Sequence, residues 1–133
     1  MAKYDNNGYI IELDKNEIFV FGSNGRGAHF GGAAATAVKK FGAVMGQAEG
    51  LQGQSYAINT MDSEGVMDAQ IQSFLDFAWN HKDLTFYLTE IGCGIAGYSP
   101  EQIAPKFAFY RSRGNVVLPE SFKKVINDKK QGN

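Results

Sequence analysis

Glycine is concentrated after one apolar stretch of the chain, where Asn24 and His29 also lie, and it recurs after a second. Nine glycines lie between positions 22 and 53 and three between 92 and 97, so that these two clusters hold twelve of the sixteen glycines. Clustered glycines let bare backbone approach a ligand closely. Successive backbone N–H groups in such loops bind anions. The two clusters therefore predict loops that hold a phosphate-bearing ligand.

Three side chains in these clusters could take part in the chemistry. His29 could contact a phosphate or transfer a proton near neutral pH, although an exposed loop histidine without such a role is the commoner outcome. Asn24 could orient a ligand, or could only accept the conformation of a tight turn. Cys93 could be a nucleophile activated by N–H dipoles, or a small residue at a turn that lies against the ligand.

Other candidate groups are sparse. Glu49, Asp62 and Glu90 are candidate general bases, but none has an evident partner in the sequence. The two histidines and the single cysteine are widely separated and form no ligand set for a metal ion. No metal or other cofactor is predicted.

Apolar patterning predicts the elements that position these residues. Strands are expected at 18–21, 56–58, 84–90 and 116–118, and helices at 33–41, from about 67 to 81, from 99 to 113 and from 119 to about 128. Residues 42–54, with four glycines and three glutamines, are interpreted as an extended loop.

The third predicted helix has the clearest start. Ser99 precedes Pro100 and lies three residues before Gln102, which is the pattern of an N-cap, a first-turn proline and a capping box. An apolar face continues through Tyr110, although Pro105 is poorly compatible with a helix beyond the first turn.

Strands that alternate with helices predict a single α/β domain with a mostly parallel sheet covered on both faces. In such sheets, ligands bind outside the carboxyl ends of the strands. Both glycine clusters follow a predicted strand, so we expect both loops to line one crevice.

Composition limits the classes of partner. The chain has 133 residues, of which 44% are hydrophobic, enough for one core. A net charge of −1 lacks the strong positive footprint of nucleic-acid binding. No apolar run reaches the roughly 20 residues that span a bilayer, so no membrane partner is predicted. A single cysteine and a polar beginning predict a cytoplasmic location; oligomeric state is left open.

Two common nucleotide-binding motifs are not matched. No Walker loop is present. The segment from Gly25 to Gly31 misses the dinucleotide fingerprint by one residue in its second gap. That fingerprint also needs a ribose-binding acid about 20 residues further on, where this chain has the loop of glycines and glutamines.

Two longer segments carry a resemblance to a known family. IFVFGSNGRGAHFGGAAATA, which begins at Ile18, resembles the macrodomain strand, asparagine-bearing loop, glycine run and small-residue helix. LTEIGCGIAGYSPEQIA, which begins at Leu88, resembles the second macrodomain loop and its following helix. GQAEGLQGQSYAINT, from Gly46, is similar to a segment of small macrodomain-like proteins of bacteria and phages.

The resemblance implies a three-layer α/β/α macrodomain-like fold with a mostly parallel mixed central sheet, and a site for ADP-ribose or an ADP-ribosylated substrate. Asn24 matches the loop asparagine that orients the distal ribose or a catalytic water in hydrolytic members, and Asn24 and His29 are the candidate catalytic residues. The candidate ligand-binding residues are Gly22, Ser23, Gly31, Gly32, Gly92, Cys93, Gly94, Ile95, Ala96, Gly97 and Tyr98.

The chain also departs from the family pattern. Gly22-Ser23-Asn24-Gly25 replaces Asn-Ala-Ala-Asn, and no acidic residue stands in the glycine run where some hydrolases carry one. The family's adenine-binding aspartate has only Asp14 as a candidate. Hydrolysis of ADP-ribosyl linkages is one expectation; a non-catalytic reader or sponge of a nucleotide-derived signal is the alternative, and an interaction protein with a filled crevice is a third.

Overall fold

The computed structural model describes residues 1–108 and 113–130, so the predicted helical position Tyr110 and residues 131–133 lie outside the described residues. The strands in this part of the chain are β1 Lys3–Tyr4, β2 Ile10–Glu12, β3 Glu17–Ser23, β4 Gly50–Gln52, β5 Ser55–Asn59, β6 Thr85–Leu88 and β7 Val116–Val117. The helices are α1 Gly32–Lys40, α2 Glu64–Trp79, α3 Pro100–Ile103 with a 3₁₀ turn at Ala104–Phe107, and α4 Glu120–Lys130.

The main sheet has the strand order β4-β5-β3-β6-β7. β5, β3, β6 and β7 run parallel, and β4 is antiparallel to β5. β1 and β2 form a separate antiparallel pair. The predicted α/β class with a mostly parallel mixed sheet is confirmed.

Helices cover both faces of this sheet because alternate side chains of β3 point to opposite sides. Ile18 and Val20 belong to a core that includes residues of α2, α3 and α4. Phe19 and Phe21 belong to a second core, which includes Ala37 of α1. β3 is therefore buried on both faces, as its unbroken apolar run predicted.

β4 lies inside the segment that was predicted to be an extended loop. Its polar residue Gln52 is 3% exposed, and the side chain accepts a hydrogen bond from the Val44 N–H at 2.8 Å and donates to the Gln47 carbonyl at 3.1 Å. A strand anchored by a buried glutamine lacks the apolar alternation by which strands are recognised.

The helix predicted to extend from 99 to 113 is shorter. Its start is as predicted, and the Ser99 N–H donates to Gln102 Oε1 at 2.8 Å. The α-helix ends at Ile103, and a 3₁₀ turn begins at Ala104. Pro105 explains the change, because proline has no N–H for the next α-helical hydrogen bond.

Asn115, just before β7, connects the end of α2 to the sheet. Its side chain is buried, and Nδ2 donates to the carbonyls of Ala78, His81 and Leu84 at 2.9, 3.2 and 3.2 Å. Buried carbonyls without a partner are costly, so this amide stabilises the turn that leads into β6.

We predict that Asn115→Ala lowers the free energy of unfolding by about 2–3 kcal/mol, because the buried carbonyls lose their donor. Asn80→Ala is the matched control: its amide also donates to a helix carbonyl, that of Asp76, but it is exposed, so the loss should stay below about 1 kcal/mol. Urea unfolding of both variants measures the difference, and equal losses would contradict the role given to Asn115.

Candidate functional site

Three strand ends meet at Gly22, near the carboxyl end of β3. A Cβ atom placed on Gly22 would lie 3.2 Å from Thr60 Oγ1 and 3.4 Å from the backbone nitrogen of Gly92. Thr60 follows β5 and Gly92 follows β6, so the loops after all three strands start side by side. The structure thus brings the two predicted glycine loops together and adds a third, from β5.

In the first loop, the side chain of Asn24 is used to hold the loop itself. Oδ1 accepts hydrogen bonds from the N–H groups of Arg26 and Ala28 at 3.1 and 3.0 Å, and Nδ2 donates to the Ala28 carbonyl at 3.1 Å. The Gly27 N–H donates to the Asn24 carbonyl at 3.0 Å. The turn-forming role weighed for Asn24 is therefore present in the structure.

His29 is 3% exposed, which differs from the exposed position that a polar loop suggested. Its ring meets Phe21 edge-on at 5.0 Å between centroids, and Nε2 lies 3.0 Å from the Gln47 carbonyl, so Nε2 carries a proton. Nδ1 is buried and has no hydrogen-bond partner among the described residues. This packing anchors the first loop on the segment before β4.

The first loop ends at the N-terminus of α1, which is open. The N-cap Gly31 has extended backbone, no side chain caps the helix, and no acidic residue lies in its first turn. Cβ atoms placed on Gly31 or Gly32 would meet nothing within 4 Å. The N-terminus of α1 therefore has neither a side-chain cap nor an acidic residue to satisfy its first N–H groups, and such a helix end can bind an anion.

The second loop exposes a further run of backbone donors. Hydrogen bonds from Gly97 N–H to the Gly94 carbonyl (3.0 Å) and from Tyr98 N–H to the Gly92 carbonyl (2.9 Å) close it into turns. The N–H groups of Gly94, Ile95 and Ala96 take part in no hydrogen bond among the described residues. Such a run of free N–H groups is a second place for an anion.

Ser23, Gly92 and Tyr98 are less accessible, whereas Gly97 is exposed. Ser23 is 5% exposed, and its hydroxyl donates to the Ala48 carbonyl. Tyr98 is half-buried and packs over Gly92, where an added Cβ atom would lie 3.3 Å from the tyrosine Cδ2. Gly92 and Gly97 have φ angles of 74° and 85°, which only glycine adopts readily.

Cys93 lies in the second loop, half-buried, with its thiol 3.5 Å from the Ile91 carbonyl. Burial, and then the charges of Glu90 and Glu101, raise the pKa of the Cys93 thiol to about 11. The thiol is therefore protonated at neutral pH, which disfavours the nucleophile alternative.

The acidic candidates differ in their positions. Glu90 accepts a hydrogen bond from the Ser121 hydroxyl at 2.5 Å. Asp62 follows β5 and lies against Gly25 of the first loop, where an added Cβ atom would clash with both carboxylate oxygens. Glu49 is exposed next to β4.

Asp14 lies at the opposite edge of the sheet from these loops. It precedes the amino end of β3, and its carboxylate pairs with the amino group of Met1, which lowers the pKa of Asp14. β3 has seven residues, a length of about 23 Å. Asp14 is thus too distant to hold a ligand at the carboxyl ends of the strands.

Two residues in or beside these loops were not singled out from the sequence. Phe30 is 81% exposed although it directly follows the buried His29. Thr60 lies next to Gly22, and its N–H donates a hydrogen bond to the Ser23 carbonyl at 3.1 Å. For Phe30, the sequence signal was an aromatic residue between a histidine and two glycines. Thr60 had no sequence signal that could have identified it.

Within residues 1–108 and 113–130, no three histidine, cysteine, aspartate or glutamate side chains are grouped so that they could hold a metal ion. In the same part of the chain, no helix has both the length and the apolar character needed to cross a bilayer.

Comparison of the chain with protein families, with curated proteins and with solved structures found no match.

We predict that iodoacetamide alkylates Cys93 at pH 7.5 at least about 100-fold more slowly than it alkylates glutathione, because a thiol with a pKa near 11 is almost entirely protonated there. The rate should increase up to pH 10 without a plateau. Glu90→Gln removes a charge that raises the pKa and should speed the reaction at pH 7.5. A plateau below pH 9 would contradict the raised pKa.

Proposed function

We propose that this chain is a macrodomain-like protein that binds ADP-ribose, or a related nucleotide diphosphate, in the crevice at the carboxyl ends of β3 and β6. The observation that carries the proposal is that the two glycine loops begin side by side at Gly22 and Gly92. A three-layer α/β/α macrodomain architecture is part of the proposal, and it is supported by the mostly parallel sheet with helices on both faces.

The free backbone donors suit a diphosphate. The first turn of α1 and the Gly94 to Ala96 segment offer N–H groups without partners among the described residues. The helix dipole adds partial positive charge at the N-terminus of α1. Arg26 is exposed on the first loop and adds a full positive charge. Two phosphates could thus be held mainly by backbone, which is the role for which glycine is suited.

The rim of the crevice suits the apolar parts of a nucleotide. Phe30 and Ile95 are 81% and 94% exposed. Large apolar side chains with this exposure, next to open backbone donors, are a feature of ligand sites. An aromatic face can stack with a base, so we assign the nucleoside part of the ligand to the Phe30 side.

Binding without turnover is the form of this function that the geometry supports best. Hydrolysis of an ADP-ribosyl linkage would depend on Asn24, orienting water, and on His29. Both acceptor positions of Asn24 Oδ1 are occupied by N–H groups of its own loop, and His29 is buried on Phe21 and Gln47. A reader or sponge of a nucleotide-derived signal needs no such groups.

We predict that Gly31→Asp abolishes or weakens ADP-ribose binding by at least about tenfold, because a carboxylate at the N-cap occupies the donors and repels phosphate. The same change should stabilise the free protein by about 1 kcal/mol, since it caps α1. Calorimetry and thermal unfolding measure the two effects.

Asn80→Asp is the charge-matched control, because it adds the same charge at the far end of α2, and it should leave ADP-ribose affinity unchanged. If calorimetry detects no binding heat when the wild-type protein is titrated with millimolar ADP-ribose or with other nucleotides, the proposal is wrong. If Gly31→Asp stabilises the protein without changing its affinity for ADP-ribose, the N-terminus of α1 is not part of the binding site.

For turnover, we expect an ADP-ribosylated protein to keep its label during incubation with the wild-type chain, because the candidate catalytic groups are already engaged. Release of the ADP-ribosyl label, measured by mass spectrometry, would instead establish hydrolysis. Asn24→Asp would then test the asparagine: it keeps the acceptor atom for the Arg26 and Ala28 N–H groups and loses the amide donor. Equal release by Asn24→Asp would exclude that amide from the chemistry.

A further inference from the structure

Asp62 lies three residues after β5, the strand that pairs with β3 on the side opposite β6. A Cβ atom placed on Gly25 would lie 2.8 Å from Asp62 Oδ1 and closer still to Oδ2. The φ angle of Gly25 is outside the left-handed region, so its backbone would accept a side chain. The carboxylate of Asp62 thus occupies the space that a side chain at position 25 would take.

The carboxylate of Asp62 is free while its neighbours are engaged. Within residues 1–108 and 113–130, it takes part in none of the hydrogen bonds or ion pairs, and the residue is exposed. The next two acidic residues, Glu64 and Asp68, both pair with Lys106, at 3.3 and 2.6 Å.

The backbone on both sides of Asp62 is held in place. Asn59 Oδ1 accepts a hydrogen bond from the Met61 N–H at 3.0 Å, and Ser63 Oγ caps α2 by accepting from the Val66 N–H at 3.1 Å. Asp62 is therefore presented from a short fixed segment against the first glycine loop, and its two oxygens remain available to a ligand.

A carboxylate next to a phosphate-binding loop has a restricted choice of partners. It repels phosphates and accepts hydrogen bonds from hydroxyl groups, and its two oxygens match a vicinal diol. An acid at the end of the strand next to the phosphate loop holds ribose hydroxyls in dinucleotide-binding sheets. We propose that Asp62 accepts hydrogen bonds from the vicinal hydroxyls of a ribose in the bound nucleotide diphosphate, an inference that rests on the proposed function.

This position explains why the expected ribose-binding acid was missing from the sequence. The fingerprint places it about 20 residues after the glycines, but in this chain β4 precedes the next parallel strand, β5. The acid that follows the next parallel strand, β5, is therefore found later in the chain, at position 62.

Calorimetry with two ligand pairs tests the assignment: ADP against 2′,3′-dideoxy-ADP, and ADP-ribose against ADP. We expect the wild-type chain to prefer the member with the additional vicinal hydroxyls (ADP in the first pair, ADP-ribose in the second) in at least one pair by about tenfold, as for a hydrogen bond to a charged group. Asp62→Asn should lose that preference. Gly25→Ala should lose it too, because the new Cβ displaces the carboxylate, and the double variant should show no further loss.

Glu64→Gln is the matched control, because it removes a nearby exposed carboxylate that pairs with Lys106, and it should keep the wild-type preference. Thermal unfolding checks that each variant is folded. A wild-type preference retained by Asp62→Asn, or no hydroxyl preference in a wild-type chain that binds ADP-ribose, overturns the assignment alone. A wild-type chain that binds none of the four nucleotides overturns the proposed function and this inference together.

Discussion

The parallel pairing of β3 with both β5 and β6 is the interaction on which the juxtaposition of the three loops depends. It aligns the carboxyl ends of three strands, and it brings Gly22 close to Thr60 and Gly92. A side chain at position 22 would have to share this space with the two neighbouring loops. The bare backbone at this point lets all three loops open onto one edge of the sheet, where ligands of α/β sheets bind.

The polar side chains of the first loop and of β4 mostly stabilise the protein itself. Asn24 holds its own turn, Ser23 and His29 bind carbonyls of the segment before β4, and Gln52 anchors that segment from the other side. Among the described residues, the N–H groups of Gly94, Ile95 and Ala96 and the carboxylate of Asp62 take part in no hydrogen bond. Because the polar side chains are already engaged, the function we propose is binding of a charged ligand without turnover.

Local sequence patterns predicted the elements that depend on local physics. The unbroken apolar run at β3 predicted a strand buried on both faces, and Ser99 with Gln102 predicted the start of a helix. β4 was missed because Gln52 is buried by hydrogen bonds made across the fold rather than by apolar periodicity. The extent of α3 was overestimated, although Pro105 carried the signal for its end.

The sequence by itself determined the α/β class and the two glycine loops after strands, because strand burial, helix capping and glycine's backbone freedom act over a few residues. Only the tertiary structure decided that His29 is buried, that Asp14 lies at the wrong edge of the sheet, and that Asp62 lies against Gly25. These outcomes depend on which strands pair and in which direction. Residues far apart in the chain then share one site, and no local pattern records such a pairing.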